Sequence, residues 1–503
     1  MTALDSAPRQ APPMVVARPF DRRWLLAALG LVIALAASRI WLIPAHFSTD
    51  VDEGWNAYQA VHAMGGGRLY PPVHSMTGNN YPPLSFYIVG ELSCVLGDPI
   101  VAGRLIAFLS TLVVASAIHR IIRCFSGAAR WPADTGALLF LGFNATLFRN
   151  YLAMDDPQWL GHALMSWGLA LLLTDRPDMM PSRNRVIASS LLMFLGGMVK
   201  HNLVTFPLAA LLWLAWRDRR LATTWLAAAA IWAASATLIC FAAYGPDIFA
   251  ALFEQPRHYS IIRMIMRSVA VVPFLLPMLA VAWSLRRWRE ADRRVDLILL
   301  TVAISVPFGI LQRAGQGVDL NAHFDSLIAL CIGSGVALSV SEKQGASWRI
   351  MAWLLVPFLI LVPIATKREF VDIAESHRDE AAWRGLESKI ARVPGKVACE
   401  DIAMCFWAQK DFAVDFFLYG QRASADPRVR QQIGQSLSSL SAVELEPRRT
   451  KPRTGETDNP VIDYARQYFP RVFQDRMGRQ LLLVIRSPHG GDPKDYPMVH
   501  RHA

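Results

Sequence analysis

The sequence predicts an α-helical polytopic membrane protein of about eleven transmembrane helices, followed by a small α/β domain. Three observations carry this expectation. First, 53% of the residues are hydrophobic and only 18% are charged, against about 25% charged in soluble domains, and the mean hydropathy is +0.27. Second, the apolar residues fall in long blocks, each near the ~20 residues that a spanning helix needs. Third, the loops between blocks are short and basic. A net charge of +11 also suits nucleic acid, but its confinement to loops between spans fits the positive-inside rule, so no nucleic-acid partner is expected. Sixteen Trp and 24 Phe suit interfacial belts.

Residues 1–23 form a Pro-rich, basic cytoplasmic arm ending in Asp21-Arg22-Arg23. The apolar stretch after it is longer than a signal-peptide core and lacks a small-residue cleavage site, so it reads as an uncleaved first helix. Basic clusters at Arg22-Arg23, Arg120/Arg123/Arg130, Arg176/Arg183/Arg185, Arg217/Arg219/Arg220, Arg286-Arg287/Arg289/Arg293-Arg294 and Lys343/Arg349 all go inside if two spans separate successive clusters. The spans then read 24–45, 99–119, 132–150, 157–174, 185–200, 203–216, 221–244, 267–285, 295–312, 322–340 and 348–366. The run from Tyr81-Pro82-Pro83-Leu84 to Leu96 is too short to cross and is assigned to an interfacial or re-entrant helix on the outer side. The transmembrane domain is thus 24–366, with an outer loop at 46–98. Residues 367–503 form an extracytoplasmic domain whose short apolar runs include Phe416 to Tyr419 and Leu481 to Ile485. Arg448 to Pro460 reads as a loop. Cys399 and Cys405 read as two unrelated structural cysteines, with a local disulfide as the alternative in an oxidising compartment. The expected location is the cytoplasmic (inner) membrane.

On this topology two acidic clusters open onto the outer side: Asp50-Val51-Asp52-Glu53 and Asp155-Asp156-Pro157. Carboxylates at a bilayer edge are costly unless solvated or paired, which makes them functional candidates. Trp55, Tyr58 and Val61-His62 recur at helical spacing, predicting an interfacial helix over 52–64. Asp52 sits at its start, where the helix dipole favours a carboxylate; the plain alternative is that Asp52 only caps it. One Asp of Asp155-Asp156 can cap the next span, leaving the other for chemistry. Lys200-His201-Asn202 ends a span on the same side, where Lys200 either neutralises a phosphate or snorkels to the interface. Arg263, Arg267 and Arg313 are further phosphate-pairing candidates, since the guanidinium fork suits that role.

Asp52-Glu53 with Tyr58, then Pro82-Pro83-Leu84, a later Asp at the mouth of a span, and Lys200-x-Asn202 together resemble the polytopic glycosyltransferases of the C superfamily (GT-C). The resemblance is to the aminoarabinose transferase and protein mannosyltransferase group, in the RgtA/B/C/D-like branch. Gly317 to Asp325, with Asn321, His323 and Asp325, is similar to a late signature of that branch, and Pro394-Gly395-Lys396-Val397-Ala398-Cys399-Glu400-Asp401 to an extracytoplasmic stretch of it. The resemblance spans about 24–425.

It implies an inverting transfer of a sugar from a polyprenyl-phosphate donor to a glycan, lipid or protein acceptor, on the outer side of the membrane and among its lipids. Asp52 then serves as general base or acceptor-orienting carboxylate with Glu53 beside it, and Asp155 or Asp156 takes the second acidic position. Lys200, Arg263, Arg313 or Arg68 holds the donor phosphate; Tyr58, Tyr81, Pro82, Pro83, Asn202, Asn321, His323 and Asp325 line the acceptor or donor pocket. A divalent cation (Mg or Mn) is an open alternative, with Asp52, Asp155 or Asp156 as its ligands. The chain departs from the group at Tyr81, where a basic residue often precedes the Pro-Pro-Leu. A transporter or flippase of a lipid-linked glycan shares the hydropathy, but transporters place charges near the midplane and carry inverted repeats, whereas here the charges gather at one edge.

Overall fold

A computed structural model describes residues 22–342, 347–447, 459–475 and 477–484; most of the arm at 1–23, Lys343, and most of the expected loop at 448–460 lie outside the described residues. The chain runs through α1 (Arg22–Trp41), α2 (Val51–Val61), α3 (Leu84–Leu96), α4 (Pro99–Arg123), α5 (Trp131–Ala145), α6 (Gln158–Leu172), α7 (Arg183–Val199) and α8 (Thr205–Arg217). It continues through α9 (Arg219–Tyr244), α10 (Asp247–Phe253), α11 (Ile261–Val269), α12 (Val272–Ser284), α13 (Val295–Gln312), α14 (Phe324–Glu342), α15 (Ser347–Leu355) and α16 (Phe358–Arg392).

Every expected span falls on one helix, or on two for 267–285 and 348–366, but the count of eleven crossings is not reproduced. Among the described residues six helices are long and apolar enough to cross, or seven if α11 with the segment Val272–Trp288, bent by 76°, is one broken span. The other four, α5 to α8, have 15, 15, 17 and 13 residues. For α5 and α6 the shortness is tolerable because their ends are largely buried in protein, where irregular backbone finds partners that lipid does not offer. The 13 residues of α3 rise only about 20 Å, less than the ~30 Å hydrocarbon layer.

The two ends of the bundle differ in charge. At one end the basic loops converge: Arg294 donates to the carbonyls of Cys124 and Thr174, Arg185 to that of Leu173, and Arg120 pairs with Asp175. The 25-residue α4, about 37 Å long, leads from this end to the other, where Arg104 meets the first acidic cluster.

The expected domain boundary at 366/367 falls inside the continuous α16. Beyond it come β1 (Val397–Cys399), α17 (Ile402–Trp407), α18 (Phe416–Ala425), α19 (Pro427–Gln431), α20 (Ile433–Leu437), β2 (Ala442–Leu445), α21 (Pro460–Tyr468), β3 (Arg471–Gln474) and β4 (Gln480–Leu483). The sheet order is β1-β2-β4-β3, with β1 parallel to β2 and the other pairs antiparallel. Leu481 and Leu482 are buried in β4. Cys399 and Cys405, read as unrelated cysteines, are joined in a disulfide: the turn from β1 into α17 folds back so that their Cα atoms lie 5.7 Å apart, within bridging range.

Candidate active site

The site is built where α2, the loop before α6, the end of α7 and the loop after α13 meet. Asp50, not Asp52, caps α2: its Oδ1 accepts from the Asp52 N–H at 3.1 Å. A capping role for Asp52 is thereby replaced, and its carboxylate is left accessible to solvent. The recess around it is walled by protein, which pushes the carboxyl up to about 6, with Asp156 adding to the rise and Lys200 opposing it.

Glu53 has the opposite environment. It is fully buried and pairs with Arg104 through two bonds, Nε to Oε1 at 2.8 Å and Nη2 to Oε2 at 2.7 Å. It also accepts from the backbone N–H of Thr49 and of Asp155. Burial alone would raise its carboxyl, but Arg104 outweighs burial and holds it below the ordinary value. With both oxygens engaged, Glu53 ties α2, α4 and the loop before α6 together; it is a structural carboxylate.

The paired Asp155-Asp156 also divides. Asp155 turns against α4, where a Cβ on Gly103 would lie 1.8 Å from its Oδ1, so glycine is what makes room for it. Its Oδ2 is buried without a partner among the described residues, and burial beside Glu53 pushes the carboxyl well above the usual range. Its carbonyl accepts from Asn56 Nδ2 at 2.7 Å. Asp156 faces the other way. It accepts from the Gln158 N–H at 2.8 Å and lies 3.9 Å from Lys200 Nζ. Of the two, Asp156 belongs with Asp52 and Lys200.

Lys200 follows the last residue of α7, buried, with Nζ donating to Gln158 Oε1 at 2.7 Å and standing 4.7 Å from the centre of the Tyr81 ring. Where the resemblance expects a basic side chain before Pro82-Pro83, the structure thus has an aromatic ring with an ammonium over it. Pro82 and Pro83 are buried at the start of α3.

A cavity of about 270 Å³ opens beside this group, lined by Tyr81, Lys200, Asn202 and Asn321 from the expected set. It is also lined by residues that sequence reasoning did not single out: Asn80, Gln158, Gln255, Arg257, Gln312 and, from α18, Gln421. A polar residue at a span end was the available signal for Gln158; Gln421 gave none, because only the fold brings α18 to the cavity.

The remaining expected residues lie elsewhere. Arg68 is exposed and pairs with Asp247 at 2.8 Å. Arg263 donates to the carbonyls of His258 and Ala314, fastening two loops that also share the bridge Tyr259–Gly315. Arg313 donates to Asp319 at 3.2 Å and to the Val318 carbonyl. Tyr58 donates to the Lys410 carbonyl and packs on Phe406 and Phe412. His323 is buried against α13, close to Gly309, and Asp325 lies 3.2 Å from His162 within the bundle. Among the described residues no group of three His, Cys, Asp or Glu side chains is placed to hold a metal.

No protein-family model matches the chain, and no curated protein sequence matches it. Among solved structures, ArnT from Cupriavidus metallidurans bound to undecaprenyl phosphate superimposes with a TM-score of 0.56 at 14% identity, over 94% of this chain and 100% of that one. The same protein in the apo state gives 0.57 at 14% identity, over 92% and 98%. The chain therefore shares the fold of these two structures over nearly its whole length.

Proposed function

We propose that the chain is an inverting membrane glycosyltransferase that moves a sugar from a polyprenyl-phosphate donor to an acceptor on the outer side of the cytoplasmic membrane. The observation that carries this reading is the pairing of an unengaged carboxylate, Asp52, with a cavity-lining ammonium, Lys200, across Asp156. The fold shared with ArnT, one structure of which holds undecaprenyl phosphate, supports the choice of donor. The basic loops at the far end of the bundle support the orientation, since positive charge stays inside.

The chemistry balances with these groups. An Asp52 oxygen takes the proton of the acceptor hydroxyl or amine, whose heteroatom attacks the anomeric carbon from the face opposite the phosphate. The bond from that carbon to the phosphate oxygen breaks, and the electron pair leaves with the polyprenyl phosphate. Lys200 offsets the charge that develops there. Asp156 and Gln158 hold Lys200 in place, and the Tyr81 ring covers its other side.

The test compares polyprenyl-phosphate lipids and surface glycans by mass spectrometry in cells carrying the wild type, a deletion, or Asp52→Asn. The expected result is a sugar missing from the glycan, and its donor lipid accumulated, in both the deletion and the variant. A wild-type profile from normally inserted Asp52→Asn protein would overturn the assignment.

A further inference from the structure

The cavity beside Lys200 has a composition that specifies more than a lipid phosphate. Seven of its lining residues are carboxamides, and no carboxylate lines it. Three of the seven are already engaged: Gln158 accepts from Lys200, and Gln312 accepts from Asn202 Nδ2 at 2.8 Å. Three of the seven also carry a buried polar atom with no partner among the described residues: Asn202 Oδ1, Gln255 Oε1 and Gln421 Nε2. These are two acceptors and one donor on residues that wall one space, and Gln421 is only 3% exposed. Buried amide groups left this way call for a partner. A hydroxyl both donates and accepts, so a ligand carrying several hydroxyls satisfies all three.

The charges around the cavity constrain the ligand further. Lys200 and Arg257 are the lining cations, and Asp156, 3.9 Å from Lys200, balances one of them. Crowding, together with Lys200 and Arg257, keeps His201 less basic than usual. One positive charge remains, and the single negative charge of a phosphodiester matches it. Among the lining residues nothing is then left to pair with an ammonium or a carboxylate on the sugar, and burying an unpaired charge is strongly unfavourable.

We infer that this cavity takes the head of a donor whose sugar is uncharged and rich in hydroxyls, with Gln421 of α18 donating to one of those hydroxyls as a specificity-determining residue. The inference rests on the glycosyltransferase reading above and names the substrate class for that site.

Binding to the full-length protein in nanodiscs tests it, using undecaprenyl phosphate, its neutral hexose ester, a 4-amino-pentose ester and a hexuronate ester. The neutral ester is expected to bind at least about tenfold more tightly than bare undecaprenyl phosphate, as one or two good hydrogen bonds allow. The amino and uronate esters are expected to show no such gain. Gln421→Ala should remove the gain while leaving the affinity for bare undecaprenyl phosphate unchanged, and Gln421→Asn should restore part of it. Equal or greater gain from either charged sugar, or a hexose gain insensitive to Gln421, would overturn the inference while bare-lipid binding still upheld the donor reading. Failure of every lipid to bind would overturn both.

Discussion

Asp52 and Glu53 are adjacent, yet a helix turns successive side chains by about 100°, enough to send one into the recess and the other onto Arg104. Their substitutions should therefore fail in different ways. Asp52→Asn should lower turnover by about 10²–10⁴-fold, the usual contribution of a general base, with the melting temperature unchanged. Glu53→Gln should instead cost about 3–5 kcal/mol of stability, because it leaves Arg104 buried and uncompensated. Thermal unfolding alongside turnover separates the two; a stability loss in Asp52→Asn with normal turnover would contradict the assignment. Since Asp52 acts only when ionised and its carboxyl titrates near about 6, kcat/KM should rise through that pH and level off above it. A profile flat from pH 5 to 8 would argue against Asp52 as the base.

At the scale of elements, α2 is held from several sides. Its cap is Asp50, Glu53 bonds it to α4, and Asn56 bonds it to the loop before α6. Against α17 the backbones nearly touch: a Cβ at Gly54 would lie 1.9 Å from the Ala403 nitrogen and 2.4 Å from the Ile402 carbonyl carbon. Backbone atoms cannot swing aside as a side chain can, so Gly54→Ala should push α2 away from α17 and reduce turnover at least about tenfold, given how steeply rate depends on placement. Unchanged turnover in a folded Gly54→Ala protein would show that this contact does not position Asp52.

Next to that contact lies a cluster of acids, Glu400, Asp401 and Glu444, with Arg479 3.2 Å from Asp401. Burial raises the carboxyls of Glu400 and Asp401 to about 7 and that of Glu444 well above its usual value. The sign follows from linkage: with raised carboxyls the folded state binds more protons than the unfolded one, so stability falls as pH rises. The stabilising protonation is complete below about pH 4 and is lost by about pH 7 for Glu400 and Asp401. The melting temperature of the extramembranous part should therefore drop between pH 5 and pH 7.5, and Glu400→Gln should flatten the slope. A rise over that range would reverse the assignment.

For the whole molecule, the helical bundle and the chain after α16 are one packed body at the site. Ser38, Arg149, Glu369 and Asp372 form a hydrogen-bonded and ionic network joining α1, the loop after α5 and α16. Trp55 and Tyr58 share an apolar cluster with Ile402, and Ala57 shares one with Ala403 and Met404. Arg422 of α18 donates to the carbonyls of Val73 and Ser75 in the loop after α2. A chain ending at Arg392 should therefore still be helical by circular dichroism, yet lose transfer activity and expose the 46–98 loop to protease. Retained activity would confine the site to the helical bundle.

The helices were legible because hydropathy and loop charge are local properties of sequence: every expected span falls on one helix or on two consecutive ones, and the 81–97 segment holds a short helix. The number of crossings was not legible, since α5 to α8 are shorter than a bilayer is thick, and for α5 and α6 only packing inside the bundle makes that acceptable. The acidic clusters announced the candidate site by their cost at a membrane edge. Which carboxylate stays unengaged could not be read, because it depends on Arg104 reaching Glu53 and on Gly103 admitting Asp155, contacts spanning 51 and 52 positions of the chain. Lys200 gained its setting the same way, over a Tyr81 ring more than a hundred residues earlier. Composition and pattern thus determined the kind of protein and the end of the bundle where its chemistry lies. The tertiary structure decided the roles within that end, because pairing, burial and orientation are properties of neighbours in space.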